Sequence, residues 1–236
     1  MNVRGILIDY GGTLDTGGRH WYRVFAEQYA LMGITVEDDL LRAAYIYAER
    51  LLEQYGGLIS PDDTFLEVLQ RKIAYQFEYL QQQQPDFQAG SQEQERMVVA
   101  CNDFARRKVQ ESAQVLAFLA KKYPLVLVSN FYGNLQSVIK KYGITAYFQT
   151  VIESAQVGLR KPNPEIFHLG IEALAMPAQE TVVVGDSWKN DIAPAQQLGC
   201  KTIWLKGQGW EIEEEATGQT ADAIITNIEE LTKILV

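Results

Sequence analysis

Hydrophobic positions along this chain fall into two patterns. The first is a set of short, nearly continuous apolar runs bounded by turn-forming residues. They are GILIDYGG from position 5, YPLVLVSN from 123, FQTVIESAQ from 148, ETVVVGDS from 180, CKTIWLKG from 200 and ADAIITN from 221. Aliphatics that do not alternate with polar residues suit strands covered on both faces, as in a parallel sheet flanked by helices. Between these runs, residues 134–142, 164–174 and 192–198 have helical character. Strand–helix alternation predicts an α/β fold built on a doubly wound parallel sheet.

The second pattern fills the stretch from Asp15 to about Gln110, where no strand is evident. Apolar residues recur there at helical intervals: Trp21, Val24, Phe25 and Met32; Leu41, Ala44, Ala48, Leu51 and Tyr55; Phe65, Leu69, Ile73 and Phe77. SPDDTF at 60–65 reads as a helix start, with Ser60 as N-cap and Pro61 in the first turn. QQQQPDFQAGSQ at 81–92 reads as a polar break between helices. The expectation is therefore a core of residues 1–16 and 110–236, interrupted by an all-helical domain over 17–109. No internal repeat is visible.

Composition narrows the function. The 236 residues carry a formal net charge of −9, which suits neither nucleic acid nor any partner whose phosphates need clustered Lys and Arg. Cys101 and Cys200 are isolated and form no metal or disulfide pattern, so both are expected to be small buried hydrophobes. With His20 and His168 alone, a multi-histidine metal site is excluded. The N-terminal segment lacks a signal-peptide pattern, and no uncharged apolar run approaches the ~20 residues of a membrane helix. The expected location is the cytoplasm. Trp204 and Trp210 are expected to be packing aromatics, and EIEEE at 211–215 a solvated face.

Chemistry-bearing residues sit where the apolar runs end. The first run ends at Asp9, before Gly11, Gly12 and Thr13; another ends in Ser129 and Asn130. VGLRKPNPEIF sets Lys161 just before a helix opened by prolines, and VVVGDSWKND sets Asp186 at a strand end with Asp191 five residues on. In open α/β sheets, ligands bind outside the carboxyl ends of the strands. Asp9, Asp186 and Asp191 would make a hard, oxygen-rich cluster that suits Mg²⁺. Lys161, Ser129 and the amides of the Gly11–Thr13 turn would hold anionic oxygens. A carboxylate nucleophile, a divalent cation and a lysine facing an oxyanion point to phosphoryl transfer through an aspartyl phosphate.

In this order, DYGGTL, VSN, RKPNPEIF and GDSWKND resemble the four motifs of the haloacid dehalogenase-like (HAD) superfamily. The helical insert resembles the cap that closes over the site in one branch of that family. The resemblance implies a Rossmann-like core and a Mg²⁺-dependent hydrolase of a small phosphorylated metabolite. It implies Asp9 as nucleophile and metal ligand, with Lys161 also catalytic. Gly12, Thr13, Ser129, Asn130 and Lys161 would bind phosphate. Gly11, through its carbonyl, would join Asp9, Asp186 and Asp191 around the metal. Selectivity would come from cap residues; Tyr22, Tyr45 and Tyr47 are candidates, with aromatics of the cap's own core as the alternative reading of all three.

One position departs from the family. Its phosphatases carry a second Asp two residues after the nucleophile as general acid and base, and this chain has Gly11. The backbone carbonyl survives the change, and some members with Gly here are regarded as phosphatases. His20 and Asp15 are candidate replacements; alternatively His20 is a linker residue and Asp15 caps a turn. Two other functions compete with the phosphatase. One is a phospho-ligand-binding protein with little turnover. The other is a dehalogenase, against which the two acids of GDSWKND argue.

Overall fold

A computed structural model of the chain describes residues 3–54, 58–210 and 220–235. Six strands form one parallel sheet in the order β3-β2-β1-β4-β5-β6. They are β1 (Gly5–Ile8), β2 (Leu125–Ser129), β3 (Thr150–Glu153), β4 (Thr181–Gly185), β5 (Lys201–Leu205) and β6 (Ala223–Ile225). Each lies within one of the six apolar runs. The three central strands are buried along their whole length, which is why their aliphatics do not alternate with polar residues. Side chains still alternate between faces: Ile6 and Ile8 of β1 join the larger core cluster, and Leu7 joins the smaller.

Among the described residues the helices are α1 (Trp21–Leu31), α2 (Asp38–Gln54), α3 (Phe65–Gln83), α4 (Ser91–Leu119), α5 (Leu135–Lys141), α6 (Ser154–Val157), α7 (Glu165–Leu174), α8 (Ala193–Gln197) and α9 (Leu231–Ile234). On one face of the sheet, α7 buries Ile166, Phe167, Ile171 and Leu174 with Leu7, Val126 and Val128. Gly170 permits that approach, because a Cβ there would lie 2.9 Å from the Leu7 methyls. Each fully buried Leu or Ile is worth about 1.5–3 kcal/mol. On the other face, Val115, Leu116 and Leu119 of α4 share a cluster with Leu231 of α9.

The first four helices lie between β1 and β2 in the chain. Phe65, Leu69, Ile73 and Phe77 are buried on one face of α3 as their spacing predicts. In α2 the buried positions are Leu41, Ala44, Ala48 and Leu52, with Leu51 only half-buried. Tyr55 lies outside the described residues, as does the EIEEE run at 211–215. The start of α3 differs from the Ser60 and Pro61 reading. Thr64 is the N-cap, in a reciprocal capping box with Glu67, and residues 60–63 form a separate turn closed by Asp63 on the Ser60 amide. The polar break is also shorter than expected, because α3 runs to Gln83 and α4 begins at Ser91. The boundary expected between 109 and 110 falls inside α4, which runs unbroken through it. Both cysteines are buried, and that burial pushes their thiols up to about 12 for Cys101 and about 11 for Cys200. Among the described residues, no helix is long and apolar enough to cross a membrane.

Strand order reverses at β1, so the chain leaves β1 and β4 in different directions. That opens a crevice at their carboxyl ends.

Candidate active site

Asp9 and Asp186 are the residues that follow β1 and β4, and the ladder pairs these strands in register, Ile8 with Val184. The Asp9 amide donates to Val184 O at 2.9 Å, so its position is fixed by the sheet itself. Asp191 reaches the same place from the turn Trp188–Ile192, whose N-cap is Ser187. Carboxylate oxygens of Asp9, Asp186 and Asp191 all lie within 4.8 Å of one another.

Lys161 stands between two of them. Its Nζ donates to Asp9 Oδ1 at 2.6 Å and to Asp191 Oδ1 at 2.7 Å. Burial disfavours its charge, but Asp191 and Asp9 outweigh burial and hold the ammonium above the usual lysine range. One lysine does not balance three acids. Burial, only partly offset by Lys161, pushes Asp9 up to about 6. Asp186 is raised well above the carboxylate range, first by burial and then by Asp9 and Asp191. Like charges this close relax when a cation joins them.

The cluster's open valence is on Asp9 and Asp186. Asp9 Oδ2 is buried and, among the described residues, has no hydrogen-bond partner. Among the described residues, the Asp186 carboxylate accepts only the Thr13 hydroxyl, at 3.2 Å, on Oδ1. Both oxygens of Asp191 are occupied, Oδ1 by Lys161 and Oδ2 by the Ser187 amide at 3.0 Å. An all-oxygen donor set with an orphaned buried carboxylate oxygen fits a hard divalent cation such as Mg²⁺. Asp9 and Asp186 have the carboxylate oxygens that could reach a cation directly, and Asp191 anchors Lys161.

The remaining predicted residues gather here, several in roles their sequence did not reveal. Ser129 Oγ donates to Asp9 Oδ1 at 3.3 Å. Asn130 spends both polar atoms on the main chain of Lys161: Nδ2 donates to its carbonyl at 3.1 Å and Oδ1 accepts its amide at 2.9 Å. Its side chain thus positions Lys161 at the edge of the cleft, with one Nδ2 hydrogen still uncommitted. Gly12 matters for conformation. Its φ is +93°, and a Cβ there would collide with the Asp186 carboxylate. The Gly12 amide is taken by Asp15 Oδ1 at 2.7 Å. Gly11 is exposed, its φ is not left-handed, and a Cβ there would meet nothing within 4 Å.

Asp15 also accepts from Trp21 Nε1 at 2.8 Å, tying the loop after β1 to α1. Burial pushes its carboxyl up to about 7. With both oxygens engaged, it serves as a brace for the turn. His20 is the N-cap of α1, its Nδ1 accepting the Tyr22 amide at 3.1 Å. Burial pushes its imidazole down to about 4, so at neutral pH it has no extra proton to donate. That shift disfavours the reading of His20 as the replacement acid. Tyr22 binds Asp38 and packs on Trp210, whereas Tyr45 lines the cleft. Trp204 is buried and donates from Nε1 to Asp186 O at 2.8 Å.

Two groups escaped sequence reasoning. Glu153, buried at the end of β3, accepts the amides of Gly133 and Leu135 and so holds the loop that carries Asn130. Lys72 and Glu49 meet across α2 and α3 beside the cleft. A signal for Lys72 existed: it is a charge on the buried face of α3, between Leu69 and Ile73.

The model of the haloacid dehalogenase-like hydrolases matches residues 3–199 of the chain. Glyceraldehyde 3-phosphate phosphatase of Methanocaldococcus jannaschii is 38% identical over 96 residues, 40% of this chain and 41% of that protein. The 5-amino-6-(5-phospho-D-ribitylamino)uracil phosphatase YigB of Escherichia coli is 31% identical over 103 residues, 44% of this chain and 42% of that protein. The matched stretches thus span less than half of either relative. Magnesium-bound HAD-hydrolase YfnB of Bacillus subtilis is similar over 100% of this chain and 99% of its own, with a TM-score of 0.57 at 20% identity. The L-2-haloacid dehalogenase RSc1362 covers 100% and 99% at a TM-score of 0.60 and 19% identity. At such identities these two speak to the fold alone. Sheet order, convergent acids and family match agree: the chain belongs to the haloacid dehalogenase-like hydrolases.

Proposed function

We propose that this chain is a Mg²⁺-dependent phosphatase of a small, soluble phosphorylated metabolite, acting in the cytoplasm with no nucleic-acid or membrane partner. The observation that carries the reading is Asp9 Oδ2: a buried carboxylate oxygen that has no hydrogen-bond partner among the described residues, beside a buried lysine and the carboxylates of Asp186 and Asp191. Names of the sequence relatives, phosphatases of small molecules, support it.

In this reading an Asp9 oxygen attacks phosphorus. The new P–O bond gives an aspartyl phosphate as the bond to the leaving oxygen breaks. Water then attacks the same phosphorus, releasing phosphate and restoring Asp9. Lys161 and Ser129 face the nucleophile and hold phosphoryl oxygens, with Thr13 orienting Asp186. Asn130 and Asp191 fix Lys161 from its main chain and its ammonium. The Gly11 carbonyl, Asp9, Asp186 and Asp191 would surround the metal; when bound, Mg²⁺ would offset their repulsion and supply Lewis-acid polarisation of the phosphoryl group. With Gly11 lacking a side chain, the leaving oxygen takes its proton from water.

Hydrolysis of p-nitrophenyl phosphate tests the reading. Turnover is expected with Mg²⁺, lost with chelator, and reduced at least about 10³-fold in Asp9→Asn. Turnover that survives Asp9→Asn overturns it. Gly11 favours one second reading, a phospho-ligand-binding protein. That reading predicts ligand-induced thermal stabilisation without turnover.

A further inference from the structure

A cleft that reaches the loop just after Asp9 has a volume of about 200 Å³. Gly11 and Gly12 bound it on one side, and Glu49 and Lys72 face it from α2 and α3. Those two charges close a triangle with Tyr132. Lys72 Nζ lies 2.6 Å from Glu49 Oε1 and donates to the Tyr132 hydroxyl at 2.7 Å. That hydroxyl donates to Glu49 Oε2 at 2.6 Å. The side chains are 7% and 19% exposed, so the pair is largely out of water. Tyr45 also hydrogen-bonds Glu49, and Lys72 pulls that carboxyl below its usual range against the effect of burial. Farther out, Arg160 pairs with Glu53 at 2.5 Å. Among the described residues, each cation lining the cleft therefore has its own carboxylate. His20, on the same wall, is neutral at pH 7.

This balance has a consequence for what can leave with the phosphate. A carboxylate or second phosphate entering the cleft would lose hydration and find no free cation. Recruiting Lys72 would strand Glu49 as an unpaired buried charge. A hydroxyl meets no such conflict. It can donate to Glu49 and accept from Lys72 or a tyrosine, while its carbons lie against the rings of Tyr45, Phe131 and Tyr132.

We propose that the cleft takes an uncharged, hydroxyl-bearing leaving group, and that Glu49, by neutralising Lys72, is the specificity residue that keeps anionic leaving groups out. This rests on the phosphatase reading and adds the substrate class.

Glycerol 3-phosphate and 3-phosphoglycerate make a matched pair, differing by a hydroxymethyl against a carboxylate. The protein is expected to prefer the first by about tenfold or more in kcat/KM. Glu49→Gln frees the Lys72 charge and should shift that ratio at least about tenfold toward 3-phosphoglycerate. Lys72→Met should shift preference the opposite way and improve O-phosphoethanolamine. Turnover of p-nitrophenyl phosphate in each variant reports an intact catalytic centre. Failure of the wild type on p-nitrophenyl phosphate sinks the phosphatase reading alone, and the same panel is then read as affinities by calorimetry. Equal use of the matched pair, or shifts of one sign in both variants, overturns the inference.

Discussion

Gly11→Asp tests most directly how this site handles protons. The substitution restores a carboxyl two residues after Asp9, where the family's phosphatases keep their general acid. The structure permits it: Gly11 is exposed, lacks a left-handed φ, and offers a Cβ no neighbour within 4 Å. Stability should therefore change by no more than about 1 kcal/mol, since the loss of glycine's freedom in the unfolded chain opposes any local cost. General acid catalysis is worth about 10–10³-fold here, or about 1–4 kcal/mol of barrier. That gain should depend on the leaving group. An alkoxide needs a proton as the P–O bond breaks, whereas p-nitrophenolate and acetate leave readily without one. The assay is kcat/KM for glycerol 3-phosphate, p-nitrophenyl phosphate and acetyl phosphate, in both proteins, with Mg²⁺ in excess. The alkyl ester should gain the full factor and the activated esters little. A gain equal for all three would mean that the introduced carboxyl acts on metal or phosphate binding. No gain, with melting temperature unchanged, would mean that another group already donates the proton. Either result refutes the reasoning.

Two further predictions concern the scaffold. Thr64→Ala should cost about 1 kcal/mol in urea unfolding, because Thr64 caps α3. Ser60→Ala should cost clearly less, as its hydroxyl only accepts the Asp62 amide at 3.4 Å; equal losses would restore Ser60 as the cap. His20 should make the protein acid-sensitive. Its imidazole falls from 6.5 to about 4 on folding, so between those values the unfolded chain binds more protons, and stability drops as pH falls through that window. The loss is at most about 3 kcal/mol by pH 4. His20→Asn, which retains a capping side chain, should flatten the profile between pH 7 and 4.5; an unchanged slope would show that His20 is not its source.

All six strands and the convergence of Asp9, Ser129, Lys161, Asp186 and Asp191 were legible in the chain. Strands buried on both faces write their burial as unbroken aliphatic runs, and a polar residue ending such a run marks the sheet's carboxyl edge. Helix boundaries in the insert were harder to read. Ser60 and Thr64 are both plausible caps, and only the meeting of Thr64 with Glu67 selects between them. What each side chain does within the site was not legible. That Asn130 holds the main chain of Lys161 appears only in the fold, and the Gly12 amide looks free until Asp15 takes it. Lys72 looks like a misplaced charge until α2 brings Glu49 to it. Hydrophobic pattern is local, so sequence alone determined the elements and the strand ends. Hydrogen-bond and charge pairing joins residues far apart in the chain, such as Asp9 and Lys161 at a separation of 152 positions, so only the tertiary structure decided which polar atoms remain free to act.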